Sequence, residues 1–216
     1  MFIGHYGASL ALKAAAPRVP LAAYFMAVQV LDVLFSIFVL TGVERIVIVP
    51  GFTECNPYDL VFMPYSHSLV GALVWGAACG AAWWGLRGAK GEALAIGGAV
   101  FSHFVLDVPV HTPDLPILAD SGTKIGLGLW NHRAATIGLE LAVFVGGWVL
   151  LARKNASLAR APAMRNFGVV LVALLIATPF LPPPSGPASV ALQALCGYVA
   201  LALAAMWVER RATRAS

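Results

Sequence analysis

Residues 93–110 read ALAIGGAVFSHFVLDVPV. At ~1.5 Å per residue this run spans about 27 Å as a helix, close to the ~30 Å of a bilayer hydrocarbon core. It is apolar apart from Ser102, His103 and Asp107. The histidine and the aspartate lie four residues apart, which puts both side chains on one helical face. Five more runs of similar length and character occur at 21–41, 68–86, 134–152, 166–181 and 188–208. The chain therefore reads as an all-α, polytopic transmembrane helical bundle with six long spans. Residues 1–16 are also apolar but shorter, about 24 Å as a helix, and end at a Pro17 to Pro20 break. They form either a short seventh span or a re-entrant helix. A cleaved signal peptide carries its basic residues before the apolar stretch; here Lys13 and Arg18 come after it, so the segment is expected to be retained.

Composition supports the same class. Of 216 residues, 60% are hydrophobic and 11% charged, against about 25% charged in soluble domains. That excludes a disordered chain, and three scattered cysteines (Cys55, Cys79, Cys196) exclude a disulfide scaffold. No fixed-period repeat or linker divides the sequence, so residues 1–216 are read as one integral membrane domain. Eleven of the fourteen Lys and Arg fall in alternate connections (Lys13, Arg18, Arg87, Lys90, Arg153, Lys154, Arg160, Arg165, Arg210, Arg211, Arg214), leaving Arg45, Lys124 and Arg133 for the intervening loops. Cytoplasmic loops collect such residues. The loops at 42–66 and 111–133 and the turn at 182–187 are therefore expected outside, with the C-terminus inside. The net charge of +4 reflects these anchors to the lipid bilayer, and no nucleic-acid partner is expected. Ile46 to Val49 is β-prone, and the Pro- and Gly-rich 111–131 loop predicts ordered turns.

The chain has ten acids and five histidines, so their placement is informative. A central Asp costs about 2.5–3.5 kcal/mol to insert, yet Asp32 sits mid-span in VQVLDVLFS. Glu140 sits inside the fourth long span, His67 opens the second, and His111 and Asp114 follow Asp107 at the end of the third. Measured from the cytoplasmic anchors at ~1.5 Å per residue, His5 lies at about 12 Å, Asp32 at about 18 Å, and His103 and Asp107 at about 17 and 23 Å. His67, at about 30 Å, would cap the group from above. One cluster of His5, Asp32, His67, His103 and Asp107 is thus permitted, provided the helix bearing His5 has its N-terminus outward. Imidazoles with carboxylates suit Zn²⁺ or another first-row divalent ion. Such an ion lowers the pKa of bound water and polarises an ester oxygen, so hydrolysis needs no protein nucleophile. No Ser-centred elbow or phosphate-cradling Gly loop competes. The plainer readings are that His132 is interfacial, that Asp32 or Glu140 packs through hydrogen bonds or joins an ion path, and that His103 and Asp107 form only a buried pair. The Gly97-Gly98 and Gly146-Gly147 pairs are expected to permit close helix packing.

Gly4-His5, Leu31-Asp32, Ser66-His67-Ser68 and Ser102-His103 through Asp107 occur in the order seen in a bacterial inner-membrane family of metal-dependent hydrolases. That family is grouped with the zinc phospholipase C and single-strand nuclease superfamily. The resemblance covers roughly residues 1–115 and leaves 116–216 as remaining spans. It implies a multi-pass protein of the bacterial inner membrane with a zinc site toward the periplasm. Where the family carries a second Asp and a His after its first Asp, this chain has Val33-Leu34-Phe35. Where the family has His-Arg-Gly, it has Met63-Pro64-Tyr65. Fewer metals are then expected, or His111 and Asp114 supply the missing ligands.

The expected metal ligands are therefore His5, Asp32, His67, His103, Asp107, His111 and Asp114. Glu140 is expected as a buried general base or an orienting carboxylate, with Asp107 and His111 in catalytic roles. The expected reaction is hydrolysis of an ester or phosphoester, with a lipid reaching the site laterally as one substrate class. Two other functions fit the same residues: an ion- or proton-coupled transporter, for which no interrupted helix is evident in the sequence, and a non-catalytic accessory subunit with protein partners in a membrane complex.

Overall fold

The computed structural model describes residues 1–120 and 122–214; Ser121, in the 111–131 loop, and residues 215–216 lie outside the described residues. The architecture is an all-α bundle. Helices α1 (Ile3–Ala15), α2 (Leu21–Ala27), α3 (Val30–Leu40), α4 (Leu69–Arg87), α5 (Lys90–Val110), α6 (Arg133–Lys154), α7 (Ala156–Arg160), α8 (Pro162–Ala177) and α9 (Pro187–Arg214) follow in chain order. Four of them (α4, α5, α6 and α9) are long and apolar enough to cross a membrane, as is α8 with the 3-10 turn that extends it to Phe180. The α2–α3 pair passes the same test jointly and makes a sixth. Local chemistry sets the ends. Ser68 Oγ accepts from the Gly71 amide at 2.9 Å to start α4, and Gly88, at φ 68°, closes it in a left-handed turn that leads directly into α5.

The first long run differs from the unbroken span expected of it, because α2 and α3 are bent by 50°. No proline or glycine marks the break. In a straight helix the Val28 carbonyl would accept from the amide of Asp32; at the bend it accepts from His103 Nδ1 at 2.6 Å. Pro109 leaves α5 helical as far as Val110, and the His111 amide still donates to the Asp107 carbonyl at 2.9 Å, so His111 keeps its i+4 relation to Asp107.

Helix α1 is the interior of the bundle. Ile3, His5, Tyr6, Ser9 and Leu10 are wholly buried, and a helix surrounded by protein needs neither the length nor the uniform apolarity of a lipid-facing span. Two devices hold it. Glu140 Oε2 accepts from the amides of Phe2 (3.0 Å) and Gly4 (2.9 Å), satisfying donors that the first helical turn leaves free. Gly7 and Gly147 bring α1 and α6 into backbone contact: a Cβ on Gly7 would strike the Val143 carbonyl, and one on Gly147 the Gly7 carbonyl. Gly76 and Gly97 pack α4 on α5 in the same way. Within each predicted glycine pair only one member serves, since Cβ atoms at Gly98 and Gly146 would meet nothing within 4 Å.

The connections add two small antiparallel sheets. β1 (Arg45–Ile48), over the β-prone run, pairs with β2 (Tyr58–Phe62), and β3 (Leu115–Pro116) pairs with β4 (Lys124–Ile125). A 3-10 turn at Leu129–Asn131 then leads into α6.

Candidate metal centre

The bundle brings six of the singled-out side chains to one place. His5 comes from α1, Asp32 from α3, His67 from the turn before α4, His103 and Asp107 from α5, and His111 from its C-terminal cap. All four of these histidines and Asp107 are at most 3% exposed. Asp107 is the hub. Its Oδ1 lies 3.2 Å from His5 Nε2 and accepts from the Met1 ammonium at 2.6 Å. Its Oδ2 lies 3.0 Å from His103 Nε2, 3.6 Å from His111 Nε2 and 4.0 Å from His67 Nε2. Asp32 Oδ1 completes the group at 3.3 Å from His67 Nε2 and 3.5 Å from His103 Nε2. The His5 and His103 rings stack at 3.9 Å.

The outward nitrogens of three of these rings fix the tautomer that each adopts when neutral. His103 Nδ1 faces the Val28 carbonyl, which only accepts, so Nδ1 carries the hydrogen. His111 Nδ1 donates to Asp114 Oδ1 at 2.8 Å, and Thr112 Oγ1 donates to the other Asp114 oxygen at 2.8 Å. For His67 the same outcome takes two steps. Ser66 Oγ gives its hydrogen to Glu44 Oε2 at 2.5 Å, so at 2.8 Å it can only accept from His67 Nδ1. In the neutral ring each Nε2 is thus an acceptor turned toward carboxylate oxygens, which are acceptors too. His103 Nε2 and both ring nitrogens of His5 are buried without a hydrogen-bond partner. Among the described residues the Met1 ammonium meets only Asp107 Oδ1, so the close contacts between Nε2 atoms and the other carboxylate oxygens need a further cation, either an added proton or a metal ion. Two overlapping sets, His5–His103–Asp107 and Asp32–His67–His103, have their ligand atoms within 4.8 Å of one another and could hold a metal ion.

The remaining expected residues stand around this group. Asp114 touches it through His111. The hydrogen bonds of Glu140 go to the α1 backbone, and its side chain lines the cavity beside the centre. His132 is exposed at the start of α6, apart from the cluster. Beyond Ser66, already part of the Ser66-His67-Ser68 motif, three contributors carry little sequence signal. Glu44 and Ser66 orient His67, Trp130 packs on His111 with ring centroids 4.0 Å apart, and Tyr198 of α9 donates to Asp32 Oδ2 at 2.7 Å. An acid in an outer loop ordinarily reads as solvated, and a Tyr or Trp in an apolar region as packing; only the fold gives them these partners.

A cavity of about 390 Å³ opens onto the centre, with Asp32, His67, Asp107, His111 and Glu140 among its lining. Phe35, Tyr58, Leu175 and the prolines at 182–184 supply apolar walls. Its volume lies in the range of small-molecule sites. Among the described residues its lining includes no Lys or Arg side chain. Cys55 also lines it, but burial pushes this thiol up from its ordinary pKa, against the Thr136 hydrogen bond and the Arg133 charge, so it stays protonated and is no ready nucleophile. No protein-family model, no curated protein and no solved structure matches the chain.

Proposed function

We propose that the protein is a membrane-embedded, metal-dependent hydrolase acting on an ester or phosphoester. The observation that carries this reading is the convergence of imidazole Nε2 lone pairs and two carboxylates on one buried point. Four-coordinate zinc with bonds of about 2.0–2.1 Å places its ligand atoms about 3.3 Å apart. Asp32 Oδ1 lies 3.3 and 3.5 Å from His67 Nε2 and His103 Nε2, and Asp107 Oδ2 lies 3.0 Å from His103 Nε2; spacings of this size in the two overlapping triads favour Zn²⁺ or a similar first-row ion. His5 and His111 are the further ligands within reach. The cavity supports an open coordination position facing a substrate; its described lining holds no Lys or Arg, and the Met1 ammonium beside it is engaged by Asp107 Oδ1, so charge developing on a substrate oxygen would fall chiefly to the metal. Glu140 borders the same cavity and is our candidate for the proton-accepting carboxylate. The resemblance of residues 1–115 to inner-membrane metal-dependent hydrolases and the asymmetry of Lys and Arg support a bacterial inner-membrane location. They also support a cytoplasmic C-terminus and a site toward the periplasmic side, within reach of lipid esters. The test is cleavage of chromogenic carboxylic and phosphoric esters by the purified protein before and after chelation. The reading expects activity that is lost with chelator and restored by Zn²⁺; activity indifferent to metal removal would contradict it.

One observation favours a second reading. The 50° break in the α2–α3 span is a feature of transporters that hold ions at interrupted helices, and Asp32 lies just beyond it. Flux of protons or divalent ions into proteoliposomes, abolished by Asp32→Asn, would support translocation over hydrolysis.

A further inference from the structure

The resemblance to metal-dependent hydrolases stops near residue 115, yet the last helix reaches the centre. Helix α9 packs along both α2 and α3 and is joined to them at two levels. At one end Glu209 Oε2 accepts from the Leu21 amide at 2.7 Å, and Glu209 Oε1 pairs with Lys13 Nζ at 2.5 Å. At the other, Tyr198 Oη donates to Asp32 Oδ2 at 2.7 Å. Asp32 follows Leu21 by eleven positions, and Glu209 follows Tyr198 by eleven. The two segments therefore run antiparallel in a single register, and α9 acts as a splint across the break at Val28 and Gln29.

We infer that Tyr198 is a positioning residue of the metal centre, holding Asp32 so that it presents Oδ1 alone. With Oδ2 occupied by the phenol, Oδ1 is the oxygen facing His67 Nε2 and His103 Nε2. The carboxylate then binds through one oxygen, in a direction fixed by a helix other than its own. Its rotation would otherwise be governed by a short helix that begins at a bend. An ordinary interfacial tyrosine does not account for this contact. Tyr198 is 9% exposed and lies about 16 Å from the start of α9, in the interior of a helix long enough to cross a bilayer and away from the ends, where aromatic belts sit. Outer groups of this kind typically change metal affinity 10- to 100-fold when removed.

This inference rests on the metal reading, and cobalt substitution separates the two. Co²⁺ is titrated into detergent-solubilised wild type, Tyr198→Phe and Glu209→Gln, reading the visible ligand-field spectrum and the thermal midpoint of each metal-free protein. The expected result is that Tyr198→Phe weakens Co²⁺ binding about 10- to 100-fold and alters the spectrum, with its metal-free midpoint near that of wild type. Glu209→Gln, which loosens the splint far from the centre, should lower the midpoint while keeping the wild-type spectrum. A Tyr198→Phe protein with wild-type affinity and spectrum would overturn the positioning role alone, as would equal losses of affinity in the two variants. A wild type that binds no Co²⁺ would overturn the metal reading and this inference with it.

Discussion

At the scale of single residues, the centre depends on acceptors that aim its imidazoles. Glu44 is 1% exposed and accepts from the Tyr65 and Ser66 amides and from Ser66 Oγ. Glu44→Gln replaces one acceptor oxygen with a donor, so Ser66 can no longer be relied on to receive the His67 hydrogen. We expect metal affinity to fall about 10-fold or more, measured by competition with a chromogenic chelator, with the helical content of the protein unchanged. Glu140 offers a sharper separation of roles. Glu140→Gln keeps an oxygen for the Phe2 and Gly4 amides but cannot accept a proton from water. It should retain metal and fold while hydrolysis drops about 100-fold or more. Glu140→Ala removes the anchor of α1 as well, so metal content should fall too; equal hydrolysis in Glu140→Gln and wild type would remove the residue from the chemistry. His5, Asp32, His67, His103 and Asp107 were legible in the sequence because histidines and acids are rare in apolar runs. Tyr198 and Glu44 were not, because neither residue type is unusual where it stands and both partners are distant in the chain.

At the scale of elements, backbone contact between helices decides whether His5 reaches the centre at all. α1 meets α6 at Gly7 and Gly147, where an added Cβ would run into main chain that no rotamer change can move. Gly147→Leu should therefore push α1 outward, lower the thermal midpoint and reduce bound metal; overpacking of this kind typically costs about 1–3 kcal/mol. Gly146→Leu points into open space and should leave both unchanged. Differential scanning of the two variants side by side checks the assignment, and equal behaviour would refute it. The sequence pattern marked both glycine pairs as packing positions, but which member faces a neighbour depends on helix rotation, which local composition does not encode. The bend between α2 and α3 was hidden for a related reason. Its visible correlate is the bond from His103 to the Val28 carbonyl, made by a residue 75 positions away.

At the scale of the whole molecule, hydropathy and the placement of Lys and Arg define a bundle with one buried polar interior. The number of long helices follows from segment length, whereas the enclosed position of α1 follows from packing alone. Its apolar sequence reads as a short span or a re-entrant helix, and the fold shows that in either case it is surrounded by protein. The orientation proposed here predicts that alkaline phosphatase fused after residue 185 is active and that a fusion after residue 155 is inactive; the reverse pattern would invert the topology and move the site to the cytoplasmic side. What unifies the molecule is that helices from both ends of the chain converge on Asp32 and Asp107, two carboxylates held against imidazoles in a largely dry interior. Elemental analysis of the protein purified without added chelator, alongside His103→Ala and Asp107→Ala, tests that account most directly. It predicts a first-row divalent metal near stoichiometric amount in the wild type and its loss from both variants, whereas a wild type as free of metal as the variants would contradict it.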